Sequence, residues 1–192
     1  MTNIALKNNN VTKEIHNLVS SIGPHDELEQ ERIRDTISWI ESGAPIFRIE
    51  KPDIPNKHLV SYFVLLDEEN RKILLVDHKK ARLWLPPGGH VEIDEDPKEA
   101  ARRECHEELG VSAEFIFEEP IFLTSTLTAN ETKSHTDVSL WYLLGGDHLK
   151  NYVYDEGEFN QICWFDFDKI PFEKSDPHMR RFIEKLKVMM RI

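Results

Sequence analysis

The chain has 192 residues, a formal net charge of −11 and 40% hydrophobic residues, which suits one folded domain with a modest appendage. The acidic balance argues against a basic footprint for nucleic acid, so no DNA partner is expected. With only Cys105 and Cys163, a disulfide framework is excluded. The N-terminus lacks the signal-peptide pattern and no apolar run is long enough for a bilayer, so we expect a cytoplasmic protein without a membrane partner.

The first forty-odd residues predict two amphipathic helices. Apolar side chains recur at helical spacing in VTKEIHNLVSSI (11–22) and in DELEQERIRDTISWIESG (26–43), where Gly43 ends the pattern. Such a pair is too short to bury its own core, so it should pack on the rest of the chain or support a homodimer. We therefore divide the chain into an N-terminal helical extension, residues 1–43, and a main domain, residues 44–192.

The main domain predicts strands around a single acidic helix. HLVSYFVLLD (58–67) and KILLVDH (72–78) flank the polar turn EENR, which favours a hairpin. Further strands are predicted at EFIFEEPIFLTSTLT (114–128), HTDVSLWYLLGGD (135–147) and QICWFDF (161–167). A closing helix should begin with Asp176 as N-cap and Pro177 at its first position. The pattern indicates a mixed α/β (α+β) fold.

The acidic helix lies in LPPGGHVEIDEDPKEAARRECHEELGV (85–111). Asp96, followed by Pro97 and by a glutamate at the third helical position, predicts its start, and Gly110 predicts its end, so it should run from about Pro97 to Leu109. A narrow apolar stripe formed by Ala101, Cys105 and Leu109 should face the sheet.

Three carboxylates of this helix should converge beside the stripe. Glu104, Glu107 and Glu108 have the i, i+3, i+4 spacing of neighbours on one face, and such an oxygen set suits Mg²⁺ or Mn²⁺. The preceding PPGG lets bare backbone approach a metal or a phosphate, while Arg103 can pair with an acid such as Glu95 or Glu104. On charge alone, a merely solvated helix face is the more common explanation.

The arrangement resembles the Nudix box: Gly89, five residues, Glu95, seven residues, and then RECHEELGV (103–111). The departure is Cys105, where the family usually has an aliphatic residue, and cysteine behaves as a small buried hydrophobe. The likeness extends over about residues 58–170. It implies a MutT-like Nudix hydrolase, with mixed sheet between helices, that cleaves a nucleoside diphosphate linked to a group X and requires Mg²⁺ or Mn²⁺.

The resemblance also implies roles for residues of the box. Glu104 and Glu108 would be the principal metal ligands, Glu107 would ligate metal or help to activate water, and the Gly88 carbonyl would complete the site. The remaining motif residues would hold the helix and the loop in register: Gly89, Glu95, Arg103 and Gly110. Arg103 is in addition a candidate catalytic residue.

Polar residues outside the box form two further sets of candidates. Family members often carry an additional glutamate before a Trp-containing strand, and Glu158, six residues before Trp164, fits that habit better than its acidic neighbours in DEGEFNQICWF (155–165). It is therefore a candidate catalytic base, although a turn of solvated acids is an equal alternative. His90, His135 and Asp137 are candidates for substrate contact, although polar loops and strand ends are commonly plain surface.

The leading functional hypothesis is a metal-dependent hydrolase acting on a small nucleotide. A non-catalytic Nudix-like regulatory module is an alternative, but such domains usually lose acids from the box and none is missing here. RNA pyrophosphohydrolase activity is a second alternative, disfavoured by the net charge of −11. The family's subgroup signatures for ADP-ribose, dinucleoside polyphosphates and coenzyme A do not match well, which leaves a nucleoside triphosphate, oxidised forms included, as the default substrate.

Overall fold

A computed structural model of the protein describes residues 3–50, 54–129 and 134–191. The helices are α1 (Asn3–Ser21), α2 (Glu27–Glu41), α3 (Pro97–Leu109) and α4 (Met179–Met190), with a short 3-10 turn at Phe172–Lys174. The strands are β1 (Lys57–Asp67), β2 (Lys72–His78), β3 (Leu83–Leu85), β4 (Gly88–His90), β5 (Phe122–Ala129), β6 (Ser134–Gly145) and β7 (Phe159–Asp166). Within these residues, no helix combines the length and apolar character needed to cross a bilayer.

Strand β1 organises a mixed sheet. It pairs with β6 in parallel along most of its length, and β5 follows β6 in antiparallel fashion. The predicted hairpin with β2 is confirmed, but its register covers only Leu66 with Ile73 and Asp67 with Lys72. Strand β7 pairs with β2 on its other side, and beyond the two pairs with β1 the strand β2 turns away to pair with β3. Strand β4 lies against the first half of β1 instead. The divergence places Gly88 and Gly89 of β4 against the middle of β1. These two residues are called the glycine turn below.

Each face of the sheet is covered by helices. Because side chains alternate along a strand, Leu59 and Phe63 of β1 join one apolar cluster with residues of α1, α2 and α3. Val64 and Leu66 of β1 join the other cluster with residues of α4. The mixed α/β fold is therefore confirmed as three layers, with β-sheet between helices.

The N-terminal helices pack against the main domain through apolar and charged contacts. Glu29 of α2 is fully buried, and its carboxylate accepts hydrogen bonds from Leu123 N at 3.1 Å and from Lys185 Nζ at 2.8 Å. Asp26 receives both arms of the Arg181 guanidinium at 2.7 and 2.6 Å, which lowers the pKa of that carboxyl to about 2. The division between residues 43 and 44 stays a prediction.

Two elements begin later in the chain than the sequence predicts. The strand expected over residues 114–128 begins only at Phe122, because Pro120 interrupts the run and the preceding residues form only an isolated bridge. The closing helix begins at Met179 with His178 as N-cap, so the predicted cap at Asp176 is wrong. The Asp176 side chain instead accepts from His178 N at 2.7 Å in the turn before the helix.

Candidate active site

Helix α3 has the limits that its sequence predicts. The Asp96 side chain accepts from Lys98 N at 2.7 Å, Pro97 is the first helical residue, and Gly110 ends the helix at a φ of 65°. The predicted stripe of Ala101, Cys105 and Leu109 is fully buried. Burial raises the pKa of the Cys105 thiol to about 12, so this residue is an uncharged part of the core.

Two glutamates of α3 lie directly on the glycine turn of β4. Glu108 is buried, and its Oε2 accepts a hydrogen bond from Gly88 N at 2.7 Å. A Cβ at Gly89 would overlap the Glu104 carboxylate, and a Cβ at Gly88, where φ is 140°, would overlap the backbone of Ser61. Gly88 therefore requires glycine, because a side chain there would push β1 away, whereas a side chain at Gly89 would displace the Glu104 carboxylate.

The electrostatics of this pair favour a bound cation. Burial, followed by the charge of Glu104, raises the pKa of Glu108 to about 9. Burial also raises the pKa of Glu104, against the lowering effect of Arg103. Two carboxylates held together away from water are destabilised unless positive charge compensates them. A divalent cation with oxygen ligands fits this environment.

Arg103 joins the helix to the loop that precedes it. Its guanidinium donates to both oxygens of Glu95, at 2.9 and 3.0 Å, to Glu104 Oε1 at 2.6 Å, and to the His90 carbonyl at 3.2 Å. The sequence offered Glu95 or Glu104 as partners, and the structure has both. With its donors so occupied, Arg103 is placed to position Glu104; its catalytic role stays a prediction.

Glu107 lies apart from the buried pair. Its side chain is 58% exposed, and Arg103 Nη1 is 3.5 Å from its Oε2. It can reach a ligand only from the solvent side, so its predicted role as a ligand or in water activation stays a prediction.

The acidic loop before β7 is joined to the end of α3. Asp155 N donates to the Glu108 carbonyl at 3.0 Å, and the Asp155 side chain accepts from Gly157 N at 2.6 Å within the turn. This turn presents Glu158, which is exposed and whose charge contributes to the raised pKa values of Glu104 and Glu108. The structure thus brings Glu158 into the electrostatic neighbourhood of the box, and its role as a catalytic base stays a prediction.

A second polar cluster forms where β1, β4 and β6 meet. Asp137 lies 3.1 Å from His58 Nε2 and 3.2 Å from His135 Nε2, and it accepts from Thr128 Oγ1 at 3.0 Å. The ring of His90 lies 4.8 Å from that of His58. The three predicted residues His90, His135 and Asp137 are therefore brought together, which the sequence reasoning did not foresee.

The sequence analysis did not identify two residues of this region, His58 and Arg48. His58 is paired in register with Asp137, and only the parallel pairing of β1 with β6 reveals it. Arg48, in the segment between α2 and β1, places its Nη1 3.2 Å from His90 Nε2. Burial, followed by the charge of Arg48, lowers the pKa of His90 to about 3, so its imidazole is neutral at physiological pH.

The cluster and the box share a neighbour. Burial raises the pKa of Tyr62 on β1, and the charges of Asp137 and Glu108 both add to that effect. Both carboxylates therefore lie within electrostatic range of one phenol. His58, His90 and Asp137 also offer donor atoms within 4.8 Å of one another, but the Arg48 guanidinium at His90 opposes a metal ion there because both are positive.

The fold and this arrangement of carboxylates beside Gly88 and Gly89 point to a class of protein that the comparisons with known families identify. The NUDIX domain family matches residues 57–186 of this chain. The chain belongs to this family, that of the MutT-like Nudix hydrolases, which confirms the resemblance of the box.

Individual relatives match parts of the chain. It is 42% identical over 57 residues to the m7GpppN-mRNA hydrolase NUDT17 of Xenopus laevis, covering 27% of this chain and 19% of that protein. It is 47% identical over 51 residues to a putative 8-oxo-dGTP diphosphatase of Bacillus subtilis, covering 27% of this chain and 34% of that protein. It is 29% identical over 118 residues to a probable DHNTP pyrophosphohydrolase of Lactococcus lactis, covering 60% and 69%. The chain thus spans about a fifth of the length of the frog relative.

Solved structures support the fold. The crystal structure of a MutT NUDIX hydrolase from Burkholderia pseudomallei superposes with a TM-score of 0.53 at 23% identity, covering 67% of this chain and 96% of that chain. The uncovered third is consistent with an addition to the common fold.

Proposed function

We propose that this protein hydrolyses the pyrophosphate linkage of a nucleoside diphosphate derivative, with a nucleoside triphosphate, oxidised forms included, as the favoured substrate. The observation that carries the proposal is the convergence of Glu104 and Glu108 on the backbone of Gly88 and Gly89. A regulatory module without catalysis would not need a buried and a half-buried carboxylate whose charges oppose each other. Two of the relatives are named for small triphosphate substrates.

The proposed chemistry divides the work among residues of the site. Mg²⁺ or Mn²⁺, when bound, would neutralise the phosphate charge and lower the pKa of water. The carboxylates of Glu104, Glu107 and Glu108 and the Gly88 carbonyl would hold the metal, and Arg103 would fix Glu104 in place. Glu158, from the loop joined to the end of α3, would take a proton from the attacking water on its carboxylate.

RNA decapping is the second candidate, because one relative is named as an mRNA hydrolase. That match covers 57 residues and only 19% of the relative, which is too little to carry its specificity over to this chain. The net charge of −11 disfavours the broad phosphate contacts that bind a long RNA. A small nucleotide makes no such demand.

A substrate panel tests the proposal. The full chain is assayed with Mg²⁺ or Mn²⁺ on dGTP, 8-oxo-dGTP, dihydroneopterin triphosphate and capped RNA, and released phosphate and pyrophosphate are measured. We expect turnover of a triphosphate that is abolished by EDTA and by Glu104→Gln. Glu99→Gln, an exposed change on the same helix, is the matched control and should retain activity. Full turnover in EDTA, or a Glu104→Gln variant with wild-type rates across a metal titration, would contradict the proposal.

A further inference from the structure

Arg48 is a half-buried arginine with no carboxylate partner among the residues that the structure describes. The other half-buried arginines, Arg32, Arg103 and Arg181, each form an ion pair with an aspartate or a glutamate. Among residues 3–50, 54–129 and 134–191, no carboxylate oxygen lies within ion-pair distance of the Arg48 guanidinium, and its hydrogen-bond partner is the imidazole of His90. Within the part of the chain that the structure describes, Arg48 therefore has no ion pair, although the whole sequence holds 35 acidic residues.

The backbone holds Arg48 in a fixed position. The two preceding residues, Ile46 and Phe47, are buried in the core. The Ile46 carbonyl accepts from Leu59 N at 2.9 Å, and Ile49 N donates to the Ile54 carbonyl at 2.7 Å on the other side. Arg48 is therefore presented from a segment anchored at both ends, which reduces the entropy lost when its side chain binds a ligand.

The segment places this charge beside the candidate active site. His90, which Arg48 contacts, directly follows Gly89, against which the Glu104 carboxylate packs. The His90 carbonyl also accepts from Arg103 of the box. His90 therefore links the two groups: its carbonyl contacts Arg103 of the box, and its imidazole, on the face of β4 opposite to Glu104, contacts Arg48.

We propose that Arg48 binds a non-bridging phosphate oxygen of the substrate, so that the segment before the family domain completes the active site. Residue 48 lies outside the region that matches the family, residues 57–186, so this contact is an addition of this chain. A guanidinium presents paired N–H donors that fit phosphate oxygens. The inference rests on the proposed function, because it takes the substrate to carry a polyphosphate.

Binding of inorganic pyrophosphate to the full chain in Mg²⁺, measured by calorimetry, tests this contact without turnover. Losing a charge-assisted hydrogen bond should weaken pyrophosphate binding by about tenfold or more in Arg48→Gln. Arg48→Lys should weaken it by at least about threefold, because lysine keeps the charge but loses the planar fork. Arg34→Gln, which removes an exposed arginine of α2, changes the net charge equally and should bind as wild type does.

A double-mutant cycle separates direct binding from an effect through His90. If Arg48 touches phosphate, Arg48→Gln should still weaken pyrophosphate binding in a His90→Gln background. If the loss disappears in that background, Arg48 acts only by holding His90, and the proposal is overturned. Should Arg48→Gln fail to fold, as seen by circular dichroism, Arg48→Lys decides: wild-type affinity would overturn the proposal.

Turnover distinguishes this inference from the proposed function. With an active substrate, Arg48→Gln should raise KM by a factor similar to its loss of pyrophosphate affinity. If the wild type is active but neither quantity changes in the variant, only the role of Arg48 fails. If the wild type cleaves nothing in the panel, the proposed function fails. The phosphate that Arg48 is proposed to bind could then no longer be assigned to a substrate.

Discussion

Replacing the buried Glu108 by glutamine should stabilise the metal-free protein. The pKa of Glu108 is raised from 4.5 to about 9, so the folded state favours the protonated carboxyl and loses stability as the pH rises from 4.5 towards 9. A pH of 7 lies about 2.5 units above the pKa of 4.5 that Glu108 has in the unfolded chain. Each unit corresponds to about 1.36 kcal/mol of unfolding free energy. Folding must therefore protonate a carboxyl that is ionised in the unfolded chain, which costs roughly 3 kcal/mol at pH 7. Glutamine stays neutral, and its carbonyl can still accept from Gly88 N.

The assay is urea unfolding in EDTA at several pH values. Glu108→Gln should exceed the wild type by roughly 3 kcal/mol at pH 7, by more at pH 8, and by little near pH 4.5. Mg²⁺ should narrow the difference, because ligand binding stabilises only the folded wild type. Glu107→Gln, an exposed change one residue away, is the control and should leave stability nearly unchanged. A difference that is independent of pH, or a less stable Glu108→Gln at pH 8, would refute the reasoning.

Three other substitutions probe different parts of the structure. Leu109→Ala should lower the free energy of unfolding by about 2–5 kcal/mol, and an unchanged urea midpoint would show that the stripe is not core. Glu158→Gln should lower kcat by about 10²–10⁴-fold with the metal concentration for half activity unchanged; a silent variant would transfer water activation to Glu107. Glu29→Ala should cost about 3–5 kcal/mol, because it leaves the Lys185 ammonium buried without its carboxylate; a wild-type melting temperature would contradict this account of the buried pair.

The box helix could be predicted from sequence because its signals are local. Asp96, Pro97 and Gly110 fix its ends within a few residues of backbone, and the convergence of its glutamates follows from helical spacing alone. The pairing of Arg103 with Glu95 is also local, since both residues flank the same turn of chain. These features depend little on the rest of the fold.

The second cluster and Arg48 could not be predicted, because they depend on long-range pairing. His58 meets Asp137 only because β1 and β6 are parallel neighbours in a particular register, and a shift by one residue would turn one of them to the other face. Arg48 belongs to no sequence motif, and its contact with His90, 42 residues further along the chain, is visible only in the folded structure. The strand predicted over residues 114–128 failed for a related reason: apolar content alone does not locate the point at which pairing begins.

The carboxylate of Glu29 has a consequence for association between molecules. Strand β5 lies at the outer edge of the sheet, and the Leu123 N–H that Glu29 accepts would otherwise point towards solvent. Free edge N–H groups are templates for strand addition by another chain. Helix α2 thus blocks an aggregation-prone edge, so a chain shortened to the family domain would be prone to edge-to-edge assembly even where its candidate active site is intact.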